Sequence, residues 1–190
     1  MKVGVLALQG DFREHIKASQ ECGHTAIEVR RESELAQVDA LILPGGESTT
    51  IIHLAQSFDL YQPIIAAIKK GLPVYGSCAG MILLADRIVG GIEGQKSFGG
   101  LDITVRRNAF GRQVDSFESD LTFNGVNLHA VFIRAPWVEQ VGSGVEVLST
   151  VADHPVAVRQ GKLLATSFHP ELTEDLAVHR FFFDEICKGR

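Results

Sequence analysis

The chain has 190 residues, a net charge of −5, and 45% hydrophobic against 22% charged residues. That is enough chain for one domain, 1–190, with a substantial core. The acidic balance excludes the concentrated basic footprint of a nucleic-acid surface. The longest unbroken apolar runs are five residues, at 64–68 and 81–85, far short of the roughly 20 that a membrane-spanning helix needs.

Residues 3–8 (VGVLAL) read as a strand buried on both faces. The start MKVGVLALQGD turns polar after Leu8 without a small-residue cleavage pattern, so a signal peptide is not expected. A helix follows over 11–22, with Asp11 near its start and Gly23 past its end. Strands are expected at 25–29 and 39–43, the latter ending in PGGES at 44–48. Ser48 or Thr49 is placed to cap a helix running to about Phe58. A helix at 61–69, a strand at 72–76 and a helix at 79–86 come next.

This β-α alternation implies an α/β fold: three layers, a mostly parallel sheet with helices on both faces. From about 100 the grammar changes to short strands at 101–105, 130–133, 145–151, 155–159 and 163–167, so some antiparallel pairing is expected in the C-terminal half. A last helix over about 174–188 carries FFF at 181–183, which should dock on the sheet.

The three cysteines, Cys22, Cys78 and Cys187, are too few and too widely spaced for a disulfide framework or a metal cluster. No metal or cofactor is expected, and a reducing cytoplasm is the simplest compartment. Cys22 and Cys187 fall in helical patterns and read as buried apolar residues. Cys78 differs. A strand leads into Gly76-Ser77-Cys78-Ala79-Gly80 and a helix follows at once, the layout of a strained strand-to-helix turn that projects a nucleophile. The helix N-terminus favours a thiolate, and the Ala79 N–H faces a developing oxyanion.

A thiol nucleophile needs a base. His169, in SFHPEL at 167–172, is the candidate. Pro170 biases it toward extended backbone, in which His169 and Glu171 project to one side, giving a triad Cys78–His169–Glu171. The other histidines (15, 24, 53, 129, 154, 179) are expected on surfaces or helix faces. Gly45 and Gly46 allow a ligand close to the backbone, at a helix N-terminus suited to an anion or oxyanion. Arg106, Arg107, Arg112 and Arg134 are candidates to hold a substrate carboxylate.

Together these motifs resemble the class I glutamine amidotransferases, and more closely the glutaminase subunits of pyridoxal 5'-phosphate synthase. The resemblance rests on GVLALQGDFREH (4–15), LILPGGESTT (41–50), GSCAGMILLA (76–85), RNAFGRQVDSFE (107–118), FIRAP (132–136) and SFHPELTED (167–175). Ser77 stands where that family commonly has threonine, and 91–99 matches less well and reads as a surface loop. The resemblance implies Cys78 as nucleophile with His169 and Glu171 as its relay. It implies L-glutamine bound by Gly46, Glu47, Ser48, Arg107, Ile133 and Arg134, and an oxyanion hole at Gln9, Gly46 and Ala79. It also implies a synthase partner in a large ring-shaped hetero-oligomer that takes up the ammonia, and neither a nucleic-acid nor a membrane partner. Two rivals are a glutaminase feeding another acceptor, such as the imidazole glycerol phosphate pathway, and a non-catalytic binding subunit. Segments 9–15 and 107–118 oppose the first. The intact Cys78, His169 and Glu171 oppose the second.

Overall fold

The computed structural model describes residues 1–110 and 116–189. Arg112 and the middle of the 107–118 motif lie outside the described residues. In chain order the elements are β1 (Lys2–Leu6), α1 (Phe12–Glu21), β2 (Thr25–Val29), α2 (Glu32–Leu35), β3 (Ala40–Leu43), α3 (Ser48–Ser57), α4 (Tyr61–Lys69), β4 (Val74–Ser77), α5 (Ala79–Leu84), β5 (Ala85–Val89), β6 (Leu101–Arg106), β7 (Ser116–Phe123), β8 (Val126–Ile133), β9 (Trp137–Val141), β10 (Glu146–Val151), β11 (His154–Gln160), β12 (Leu163–Thr166) and α6 (Ala177–Phe181). A single 3₁₀ turn, Pro170–Leu172, precedes α6, and a π-helical turn, Phe182–Cys187, follows it. Among the described residues no helix is long and apolar enough to cross a membrane.

The main sheet has the order β10-β11-β12-β4-β3-β1-β2. β12, β4, β3, β1 and β2 run parallel, while β10 and β11 join antiparallel. The expected parallel sheet with an antiparallel flank is therefore present. Side-chain alternation along these strands divides the core in two. Val3, Val5, Ala40, Ile42 and Tyr75 face α1, the C-terminal helical segment and the β7–β8 hairpin. Leu6, Leu41, Leu43 and Val74 face α3, α4, α5 and the small β5-β6-β9 sheet. Phe182 and Phe183 are fully buried, as their apolar run predicts.

Several expectations are corrected. The helix expected at 79–86 ends at Leu84, and β5 begins with no turn between, Ala85 taking extended backbone. The charged Asp86-Arg87 pair hid that strand because it lies on the exposed side. β7 and β9 are further strands that the pattern did not suggest. The helix expected over 174–188 starts only at Ala177 and is split into a short α-helix, Ala177–Phe181, and a π turn, Phe182–Cys187. Glu47, rather than Ser48 or Thr49, caps α3, its carboxylate accepting from the Thr50 N–H at 2.7 Å.

Candidate active site

Four neighbouring parallel strands, β12, β4, β3 and β1, deliver four segments to one edge of the sheet. Their carboxyl ends lead into Ser167-Phe168-His169, Cys78, Pro44-Gly45-Gly46 and Gln9. The crevice beyond the carboxyl ends of parallel strands is where open α/β sheets bind ligands. Register makes the convergence tight. Ser77 pairs with Thr166 and Gly76 with Leu43, so Cys78, His169 and the glycine loop emerge side by side.

Cys78 sits in the turn between β4 and α5 at φ 48°, ψ −101°, a region that L-residues avoid. Two backbone contacts hold it there: its N–H donates to the Thr166 carbonyl at 2.8 Å, and the thiol donates toward the Ile133 carbonyl at 3.8 Å. The flanking glycines are required by close approach rather than by their own φ. A Cβ on Gly76 would stand 2.4 Å from the Gly80 carbonyl oxygen, and one on Gly80 would stand 2.2 Å from the Leu43 carbonyl oxygen. Backbone cannot move aside as a side chain can. Gly80→Ala is therefore expected to destabilise the protein by roughly 1–3 kcal/mol or more, and a thermal melt matching wild type would contradict this packing. Ala79 opens α5, so its N–H belongs to the unpaired first turn.

His169 is anchored by its N–H to the Val131 carbonyl at 2.9 Å. Glu171 meets it, but not by the extended-chain geometry expected. Pro170 starts a 3₁₀ turn, and from that turn the Glu171 carboxylate returns to accept from His169 Nδ1 at 2.8 Å. Both side chains are buried, at 4% and 0% exposure. His169 Nε2 is buried without a hydrogen-bond partner and is the atom left for the thiol. Burial alone would lower the His169 pKa, but the neighbouring Cys78 and Glu171 favour the charged ring and raise it to about 10. Glu171 is desolvated too, yet His15 and His169 hold its carboxyl well below the usual carboxylate range.

The glycine loop closes over His169. A Cβ on Gly45 would lie 2.5 Å from His169 Cε1, so only glycine lets the loop pass there. The Asp11 N–H donates to the Gly45 carbonyl at 3.1 Å, and the Glu47 N–H donates to Gln9 Oε1 at 2.7 Å. Gln9 thus braces Gly46 and Glu47 from the end of β1. Asp11, His169 and Glu171 bring ligand atoms within 4.8 Å of one another. The His169 nitrogen in that group, however, is already bonded to Glu171.

The Arg107 guanidinium donates to Glu47 Oε1 at 2.9 Å and to Gln95 Oε1 at 2.7 Å. Desolvation works against the Glu47 charge, but bonds from Thr49 and Thr50 overcome it and lower its pKa to about 2. Ile133 is exposed, and Arg134 is exposed at φ 42° with no ion pair among the described residues. Arg106 pairs with Glu139 instead, away from this group.

Three features escaped the sequence reading. Gln95, in the stretch read as a surface loop, also donates to Ser48 Oγ at 3.0 Å, tying two candidate glutamine contacts together. His15 and His179, expected on surfaces or helix faces, are fully buried behind Glu171. Their place within the 9–15 motif and the C-terminal helical pattern offered a periodicity signal only for His15, on the inner face of α1 with Ala18 and Ser19. Cys22 and Cys187 are half-buried, and burial pushes both thiols up, Cys187 to about 12. Neither is primed as a nucleophile.

Residues 5–188 match the SNO glutamine amidotransferase family. Among curated relatives, the pyridoxal 5'-phosphate synthase subunit PdxT of Parafrankia sp. (strain EAN1pec) is 65% identical over 186 residues, covering 96% of this chain and 92% of that one. The subunit of the same name from Mycobacteroides abscessus is 59% identical over 189 residues, covering 98% of each. A crystal structure described as a glutamine amidotransferase superposes with a TM-score of 0.92 at 52% identity, covering 98% of both chains. PurLQS from Thermotoga maritima, at 15% identity and TM-score 0.69 with 96% of this chain covered, shares the fold alone. The chain belongs to the SNO glutamine amidotransferase family.

Proposed function

We propose that the chain is the glutaminase subunit of a pyridoxal 5'-phosphate synthase, hydrolysing L-glutamine to L-glutamate and ammonia. The observation that carries this reading is a strained Cys78 at a helix N-terminus beside a buried His169 whose far nitrogen is bonded to Glu171. Relatives about 60% identical that carry the synthase-subunit name support the pathway.

Glutamine's carboxylate is held by Arg107 and Arg134, with the Ile133 carbonyl lining the cleft. Its ammonium faces the ionised Glu47, and Ser48 and Gly46 complete the contacts. The Cys78 thiolate attacks the side-chain amide carbon. The oxyanion is met by backbone N–H groups at Gly46 and Ala79, with Gln9 holding that loop in place. His169 gives its proton to the leaving nitrogen, releasing ammonia and leaving a γ-glutamyl thioester. Water, deprotonated by His169, then cleaves the thioester to glutamate and restores the thiol. Ammonia passes to a synthase subunit within a ring-shaped hetero-oligomer.

Pyridoxal 5'-phosphate formation by the synthase subunit should be measured with glutamine and, separately, with an ammonium salt. Glutamine is expected to support synthesis only when this chain is present, and the ammonium salt to support it without the chain. Synthesis from ammonium but never from glutamine would exclude the assignment. Arg107→Ala is expected to raise KM for glutamine roughly 10- to 100-fold, the loss of a charge-assisted carboxylate contact, with kcat changed far less. An unchanged KM would remove Arg107 from the substrate contacts.

A further inference from the structure

Behind the Cys78–His169–Glu171 line lies a second row of buried polar groups that the proposed reaction does not use. His15 on α1, Ser77 at the end of β4 and His179 on α6 are all fully buried. His15 Nε2 lies 2.9 Å from Ser77 Oγ and 3.4 Å from Glu171 Oε2. Ser77 Oγ is itself 3.5 Å from Glu171 Oε1. On the other side of the His15 ring, Nδ1 meets His179 Nε2 at 3.0 Å. Tyr75 stands edge-on to both imidazoles, with centroids at 5.9 and 5.8 Å, and closes the group from the sheet.

The protonation of this row follows from what each atom can do. An ionised carboxylate only accepts, so the His15 nitrogen facing Glu171 is Nε2–H. His15 Nδ1 and His179 Nε2 share one hydrogen bond at 3.0 Å. Burial, with His15 beside it, lowers the His179 pKa to about 3, so that ring is neutral. Its Nδ1 is buried without a hydrogen-bond partner. His15 thus donates toward the carboxylate from Nε2, and Glu171 in turn fixes the Nδ1–H of His169.

We propose that His15 is a positioning residue of this site: with Ser77 and backed by His179, it holds the Glu171 carboxylate in the orientation that keeps His169 Nε2 aimed at Cys78. The proposal rests on the glutaminase reading above. A carboxylate returning from one short 3₁₀ turn has no rigid element of its own, and α1 and β4 supply the missing walls. Losing that grip costs orientation at the thiol rather than affinity for glutamine.

The test is steady-state glutamine hydrolysis by the chain in complex with its synthase subunit, for wild type, His15→Leu, His15→Gln, Ser77→Ala and Glu171→Gln. His15→Leu is expected to lower kcat on the order of 10²-fold, the cost of a small misplacement of a reacting group, with KM for glutamine unchanged. The alkaline limb of its kcat/KM profile should move to lower pH, because a loosely held Glu171 supports the His169 charge less. The titratable groups facing His169 are Cys78, Glu171 and Asp11, and those around Glu171 are His15, His179 and Tyr75. His15→Leu removes directly the contacts of His15 with Glu171, Ser77 and His179. His15→Gln, which carries an N–H donor, should recover most of the rate and the profile. A rise in KM alone, or a kcat loss with an unmoved limb, would overturn the positioning role. Should His15→Leu fail to fold, Ser77→Ala decides: it must show the same kcat loss and pH displacement in direction, and wild-type values would refute the proposal. Glu171→Gln separates the two readings. If it retains wild-type activity, the triad itself fails; if it is inactive while both His15 variants match wild type, only the present inference fails.

Discussion

Cys78→Ala is expected to lower glutamine hydrolysis by roughly 10⁶-fold, the scale seen when a covalent nucleophile is removed from an intact site. The substitution deletes one buried sulfur and leaves the φ 48° turn between Gly76 and Gly80 as it was. The protein should therefore remain folded and keep its synthase partner. Ammonia release from glutamine in the complex measures the effect, and pyridoxal 5'-phosphate synthesis from an ammonium salt should be untouched. Matching substitutions at Cys22 and Cys187 should leave hydrolysis unchanged, because burial raises both of those thiols away from the reactive thiolate. Substantial hydrolysis by the Cys78 variant would remove the covalent mechanism.

Glu171→Gln has the second largest expected effect, a fall in kcat of about 10³- to 10⁴-fold at unchanged KM, as when a triad acid can no longer fix its histidine tautomer. The same change has a stability signature with a definite sign. The folded-state pKa of Glu171 lies below the ordinary carboxylate value, chiefly through His15 and His169 acting against desolvation. Its contribution to stability is thus fully present above the unfolded value of about 4.3 and is lost as pH falls below it. The variant should be less stable than wild type at neutral pH, with the gap closing on acidification. Paired thermal melts across pH 3–7 check this, and a gap that widens at low pH would contradict the assigned ion pairs.

What could be read from the sequence was local. The nucleophile turn occupies five consecutive residues, and its glycines stand where backbone carbonyls from Gly80 and Leu43 leave no space for a Cβ. Four of the parallel strands appeared as short apolar runs because both of their faces are buried. His169 and Glu171 were paired through their spacing, although a 3₁₀ turn rather than an extended strand brings them together. What could not be read was long-range. His15 and His179 are 164 positions apart, and His15 and Ser77 are 62 apart. Nothing in a helical histidine announces that its partner is a buried carboxylate of the candidate site.

Gln95 was hidden for a different reason. Its loop has neither periodicity nor apolar content, and its value lies in reaching Arg107 and Ser48. The cap of α3 shows tertiary context overriding propensity. Ser48 and Thr49 are the better intrinsic caps, yet Glu47 holds the position because its carboxylate also meets Arg107. β7 was missed because one face of its alternating sequence is polar, while Leu121 and Phe123 on the other face are buried.

In the proposed reaction Cys78 forms a covalent bond to the side-chain carbonyl carbon of glutamine. That step is tested most directly by treating the complex with a glutamine analogue that carries an electrophilic diazoketone in place of the amide, followed by peptide mass spectrometry. A single adduct is expected on the peptide containing Cys78, lost with Cys78→Ala and slowed by excess glutamine. Labelling at Cys22 or Cys187, or no label on a complex that hydrolyses glutamine, would contradict it.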